Sequence, residues 1–225
     1  MIESRPKLLL IRGLGHSGTT ILDLALGANP NVTGLGEAAR LLLPPRRSDV
    51  HDGPYQLRNN LRFKRLCSCG SVAADCSIWG EYLEWLRLND DCSMDEKVLN
   101  LLSSSDRLGD DNWYVDSYQD DLSMVHLPSE LFDLRVIHLV RDIRSWLPGR
   151  VRSDRGKGKN FSSFRNALRW IYVNKKFSNV FRRSGMPVLR VGYEELALRP
   201  EITLRLICEW LGLEFSVQML SPGTY

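Results

Sequence analysis

The stretch KLLLIRGLGHSGTT, residues 7–20, decides the reading of this chain. Its first six residues form a continuous apolar run closed by Arg12, which suits a strand buried on both faces. Gly13, Gly15 and Gly18 then space a loop. Thr19–Leu26 puts Ile21, Leu22 and Leu26 on connected helical faces, with Gly27 as the stop. A buried strand, a glycine turn and a helix that begins in hydroxyl residues can cradle phosphate. Unpaired N–H groups at the helix start converge on an anion, and the helix dipole favours negative charge.

The spacing Gly13-x4-Gly18-Thr19-Thr20 fits the Walker A loop at every position but one: Thr19 stands where a nucleotide triphosphatase has lysine. That lysine neutralises the β- and γ-phosphates during phosphoryl transfer, and threonine cannot. The loop is expected to hold a phosphate-like group without being built for γ-phosphoryl transfer. The plainer alternative is a glycine turn that only packs a helix close to its strand.

Working outward, a short strand is expected at Asn31–Thr33, followed by Gly34-Leu35-Gly36-Glu37. Pro44 and Pro45 end the apolar stretch Leu41–Leu43. Residues 46–66 are polar and poorly patterned, like an insertion or flap. Ile78–Leu88 reads as a helix, and Ser93 with Glu96 forms a capping box ahead of a second, Met94–Leu102. Trp113–Asp116 and Leu134–Val140 are strand-like. Phe161–Arg183 reads as a long amphipathic helix with Phe164, Leu168, Trp170 and Ile171 near one side. The last strand is Met186–Val191, and the last helix, Glu201–Leu211, starts behind Pro200 and closes at Gly212. Alternating strands and helices predict an α/β fold around a mostly parallel sheet flanked by helices. Residues 1–225 read as a single domain with an insertion at about 46–105.

Composition excludes classes and names no function. The 30 basic and 27 acidic residues leave a net charge of +3, too weak for the basic excess of a nucleic-acid binder. The opening apolar run is too short for an export signal or a membrane span. Five cysteines, an odd number, argue for reduced thiols and a cytoplasmic location. Cys67, Cys69, Cys76 and Cys92 lack clean zinc-ligand spacing, so no metal is expected.

The stretch IRGLGHSGTTILDLALGANPNVTGLGEA, residues 11–38, resembles the 5′-phosphosulfate loop of sulfotransferases, in the flavour of their bacterial and tyrosylprotein-type branch. Three further segments fall in that family's order. RVIHLVRDIRS (Arg135–Ser145) looks like the strand and arginine that hold a 3′-phosphate, and VGYEELALRPEITLRLICEWLGLEF (Val191–Phe215) is similar to the closing block. WYVDSYQ (Trp113–Gln119) sits where that branch often ends a strand in Asp-Ser-Ser-Lys.

The resemblance implies a P-loop-like sulfotransferase fold with 3′-phosphoadenylyl sulfate (PAPS) as donor co-substrate. It also implies in-line sulfuryl transfer to an acceptor hydroxyl or amine, without a metal. Gly15, His16, Ser17, Gly18, Thr19 and Thr20 would hold the 5′-phosphosulfate, Arg141 the 3′-phosphate, and Tyr193 would sit near the adenine. Glu37 is the implied general base, with Asp116 in reserve. The acceptor, a small molecule, glycan or peptide, stays open.

The sequence also departs from the family. His16 replaces the usual lysine or arginine at the bridging oxygen; an imidazole, with an ordinary pKa of about 6.5, would serve there only when protonated. Gly149 stands where the family has serine, so Ser145 or the basic stretch Arg150–Lys159, read as a mobile loop, is expected to substitute. Gln119 replaces a lysine, and the chain given ends at Tyr225. His126 reads as a helix end and His138 as a core histidine. A kinase-like nucleotide-binding protein and a catalytically weak PAPS-binding relative remain the alternatives.

Overall fold

The computed structural model describes residues 5–43, 70–72, 75–76, 79–103, 112–156 and 162–221, without the side chains of 154 and 155. Five strands, β1 (Lys7–Arg12), β2 (Val32–Gly34), β3 (Trp113–Asp116), β4 (Asp133–Val140) and β5 (Val188–Gly192), form one sheet in the order β2-β3-β1-β4-β5. Every neighbouring pair is parallel, so the fold is α/β and the sheet more uniform than "mostly parallel".

The unbroken apolar run of β1 has a simple cause. Leu8 and Leu10 point into a core cluster on one face of the sheet, Leu9 and Ile11 into a second cluster on the other. Pleating sends alternate side chains to opposite faces, and a central parallel strand needs both faces apolar. Helix α1 (Thr19–Gly27) covers the second face with Leu22 and Leu26. Helix α2 (Ala39–Leu42) and the pair α3 (Gly80–Leu88) and α4 (Met94–Ser103) serve the first, through Leu41, Tyr82, Leu86, Val98 and Leu101. The capping box forms as read: Ser93 N–H donates to Glu96 Oε2 at 3.0 Å, and Glu96 N–H to Ser93 Oγ at 3.4 Å.

Three readings need correction. Ile143–Gly156 is helix α5, with Pro148 inside it, so residues 150–156 are not a loop; residues 157–159 of that basic stretch lie outside the described residues. The long helix, α6 (Ser163–Ser184), exists, but its expected inner side faces out: Phe164 is 73% exposed and Leu168 50%. Its buried positions are Asn166, Asn174, Phe177 and Phe181. Gly27 is the last residue of α1 rather than its stop, and Ala28 caps it.

After β5 the chain forms a short helix, α7 (Tyr193–Leu198), and then α8 (Pro200–Leu211), capped by Gly212 in the left-handed region. Cys67, Cys69 and the segment 46–66 lie outside the described residues. Cys92 and Cys208 are free thiols, Cys76 is buried, and no metal-binding cluster occurs among the described residues. Nor is any described helix long and apolar enough to cross a membrane.

Candidate functional site

The loop between β1 and α1 turns on two left-handed residues, His16 at φ 72° and Gly18 at φ 93°. Left-handed backbone at a non-glycine residue costs about 1–2 kcal/mol, so its presence at His16 points to a constrained loop. Gly18 is the N-cap of α1 and contributes no side-chain cap, and no acid lies in the helix's first turn. The helix start therefore offers its backbone N–H groups and its dipole to an incoming anion. Thr19 is buried and Thr20 exposed at this end. Ser17 is buried, its N–H donating to Leu14 O at 3.0 Å.

Two glycines are required by contact. A Cβ on Gly18 would lie 2.5 Å from Tyr193 Cε2, and one on Gly13 would drive into the Leu139 carbonyl. The loop thus sits against β4 on one side and the start of α7 on the other.

Arg141 follows β4 and bridges these parts. Its Nη1 donates to His16 O at 3.1 Å, its Nε donates to Ser145 Oγ at 3.0 Å, and its guanidinium carbon lies 4.5 Å from the Tyr193 ring centre. Ser145 Oγ in turn donates to Glu194 Oε1 at 2.5 Å. Burial works to raise the Glu194 carboxyl, but hydrogen bonds from Ser145 and from the Asp142 N–H outweigh it and hold the group below its ordinary value. The carboxylate thereby fixes the serine, and the serine fixes the plane of the arginine.

Helix α5 clamps the loop from outside. Trp146 Nε1 donates to Gly15 O at 2.7 Å, and one turn later Arg150 Nη1 lies 3.4 Å from His16 Nε2. Trp170 of α6 donates to Arg141 O at 2.9 Å. Across the site, Gly15 N–H donates to Asp120 Oδ1 at 3.3 Å, and Thr19 Oγ1 donates to Gln119 Oε1 at 3.3 Å. An acidic side chain therefore occupies a donor that an anion would use. On the α5–α6 side, a groove of about 420 Å³ is lined by Leu147, Pro148, Val151, Arg152 and Ser163.

Glu37 lies in the exposed loop after β2, 3.5 Å from Arg40 Nη1. Ser117 N–H donates to Gly36 O at 2.7 Å, which ties this loop to the C-terminal end of β3. Ligands of parallel α/β sheets bind at those strand ends. Asp116 is ruled out as a free base by its surroundings. It forms a fully buried ion pair with Arg12 at 2.7 Å and accepts the Ala39 N–H at 2.6 Å. His126 ends a 3₁₀ helix, Ser123–His126, and His138 is buried against Phe177 and Phe181.

The structure thus gathers Gly15, His16, Ser17, Gly18, Thr19, Arg141, Ser145 and Tyr193 around one loop. Sequence reasoning missed Arg12, Trp146 and Glu194. Arg12 carried one legible signal, an arginine closing an otherwise apolar strand.

Residues 8–217 match the model of the sulfotransferase family. The chain belongs to the sulfotransferase family. Its fold is that of solved sulfotransferases. The sulfotransferase domain of the Synechococcus PCC 7002 olefin synthase superposes with a TM-score of 0.67 at 20% identity, covering 99% of this chain and 78% of that one. The sulfotransferase domain of the curacin biosynthetic pathway gives 0.64 at 19% identity, covering 98% and 78%. Sulfotransferase STF1 of Mycobacterium tuberculosis H37Rv gives 0.53 at 15%, covering 98% and 71%. No individually curated protein matches the sequence significantly.

Proposed function

We propose that this sulfotransferase-family chain moves a sulfuryl group from PAPS to an acceptor hydroxyl or amine, without a metal. The observation that carries the reading is the pairing of two anion sites. The β1–α1 loop presents N–H groups and hydroxyls, while Arg141, oriented by Ser145, lies against that loop and the Tyr193 ring. A donor whose ribose carries an anionic group at its 5′ and 3′ positions and an adenine at a third fits that set. The loop would receive the 5′-phosphosulfate, Arg141 the 3′-phosphate, and Tyr193 the region of the adenine. A planar fork of donors suits a phosphate.

In the reaction, the acceptor oxygen or nitrogen attacks sulfur in line. The bond from sulfur to the bridging oxygen breaks, and its electron pair stays on the 5′-phosphate of adenosine 3′,5′-bisphosphate. Glu37 takes the acceptor's proton, a role open to an exposed carboxylate at the strand ends. His16, in the family's usual place for a lysine or arginine, would face the leaving oxygen. The groove beside α5 offers space for an apolar part of the acceptor, whether small molecule, glycan or peptide.

The core cluster on one sheet face joins residues of β1 to residues of α3 and α4, which supports one domain with the 46–105 segment built in. The odd cysteine count and the free thiols of Cys92 and Cys208 support a cytoplasmic setting. A magnesium-dependent kinase is disfavoured by Thr19, which has no cation to give the γ-phosphate. Labelled sulfuryl transfer from PAPS in chelator, against a panel of phenols, glycans and peptides, tests the reading. Transfer is expected; donor binding without turnover on any acceptor would make the chain a weak binding relative, and hydrolysis of ATP with magnesium would make it kinase-like.

A further inference from the structure

Sulfuryl transfer leaves a full negative charge on the departing oxygen, and that charge needs a donor aimed at it. Residues 13–20 contain no lysine or arginine, and His16 is their one titratable side chain. Helix α5 brings a cation to this gap: Arg150 Nη1 lies 3.4 Å from His16 Nε2. It is placed by the same helical turn that lets Trp146 hold Gly15 O at 2.7 Å.

We propose that Arg150 is the catalytic cation at the leaving oxygen, and that His16 acts as a neutral positioning residue that accepts from it. A guanidinium stays charged throughout the working pH range, and a second positive charge on an imidazole at this distance would repel it. The imidazole nitrogen facing Arg150 is therefore the acceptor. The other charged groups around the loop fit this division. Arg141 donates to His16 O, and Asp120 accepts the Gly15 N–H, so both engage the loop through its backbone. As the sulfur–oxygen bond breaks, its electron pair moves to the 5′-phosphate oxygen and the Arg150 N–H groups take up that charge. The acceptor proton goes to Glu37, and no other reactant is needed. Such a donor typically contributes about 10²–10³ in rate.

The inference rests on the donor assignment above, so its test separates the two. Adenosine 3′,5′-bisphosphate carries both phosphates and adenosine 3′-monophosphate lacks the 5′ one. Affinities for both are measured in wild type, Arg150→Ala, Arg150→Lys and Arg141→Ala, alongside PAPS turnover from pH 6 to 8. In Arg150→Ala, bisphosphate affinity is expected to fall about tenfold and turnover at least a hundredfold. Monophosphate affinity should hold, which also shows the variant folded. Arg150→Lys should recover part of the turnover, and wild-type turnover should not decline across pH 6–8. Equal loss for both nucleotides, or none, in Arg150→Ala would overturn the inference, as would turnover that declines with imidazole deprotonation. Failure of wild type to bind either nucleotide would instead overturn the donor assignment.

Discussion

Gly18 and Tyr193 occupy adjoining space so closely that the loop's backbone and the aromatic ring exclude any side chain between them. A Cβ at position 18 would lie 2.5 Å from Tyr193 Cε2, and the residue's φ of 93° is one that side chains rarely adopt. Two separate penalties therefore meet at one position, one steric and one conformational. Gly18→Ala should lower stability by about 1–3 kcal/mol and weaken adenosine 3′,5′-bisphosphate binding. Adding Tyr193→Ala should restore some of the stability, because it removes the clash and leaves the backbone strain. Calorimetry of the two variants checks this; an unchanged melting temperature for Gly18→Ala would contradict the geometry.

The two acidic residues near the strand ends should behave in opposite ways. Asp116 is the near counter-charge of a fully buried Arg12, with Asp121 farther off at 3.9 Å, so Asp116→Asn leaves that charge poorly neutralised and should cost up to about 3–5 kcal/mol. Glu37 is exposed, and Glu37→Gln should leave stability within about 0.5 kcal/mol of the parent. Its turnover should nevertheless fall by about 10²–10⁴, the usual worth of a general base. Denaturant unfolding and PAPS turnover on both variants decide the matter. Near-normal turnover in Glu37→Gln would remove it from the mechanism.

Asp120 holds the Gly15 N–H that a phosphosulfate would need, and its negative charge opposes an anionic donor. Asp120→Asn removes that charge while keeping the shape of the side chain. Affinity for adenosine 3′,5′-bisphosphate should rise about three- to tenfold, within the range of one charge at partial exposure. A weaker affinity would mean that Asp120 assists binding instead.

Much of this site was legible because its signals are local. The β1 run reads as buried on both faces because Leu8 to Ile11 alternate between two cores. Gly13 and Gly18 stand out because contact leaves no room for a side chain. Arg141 falls at the end of an apolar strand. Helix α5 was illegible for a physical reason. Its arginines, Pro148 and Gly149 resemble loop composition, and it is held largely by tertiary contacts such as Trp146 on the loop. The side of α6 was misread because periodicity finds an apolar stripe without saying which stripe meets the core. Asn166 and Asn174 are buried where Phe164 and Leu168 are not. Arg12 and Asp116 lie 104 positions apart, and only the folded sheet brings them together.

Two buried groups give the stability profile an unusual shape. Burial raises the Asp23 carboxyl from 3.8 to about 6, with a Ser117 hydrogen bond opposing and the Asp116 charge adding to the rise. Burial lowers His138 from 6.5 to about 4, helped by the Arg190 charge and opposed by Asn174. A raised carboxyl stabilises at low pH, and that contribution is lost as pH rises from about 4 to about 6. A lowered histidine stabilises at high pH, and its contribution is lost as pH falls from about 6.5 to about 4. Each slope is about 1.4 kcal/mol per pH unit, and between pH 4 and 6 they oppose. Asp23→Asn should expose the histidine alone, so its unfolding free energy should climb with pH across that window more steeply than the parent's. Urea titrations at pH 4, 5 and 6 check this; parallel profiles for parent and variant would contradict it.

The central claim is that one loop and one arginine hold the two ends of a doubly phosphorylated adenosine donor without a metal. Calorimetric titration of adenosine 3′,5′-bisphosphate in chelator, into wild type and Arg141→Ala, tests it most directly. The account predicts saturable one-to-one binding to wild type that weakens at least tenfold in Arg141→Ala. Absence of binding to wild type, or equal binding to both, would contradict it.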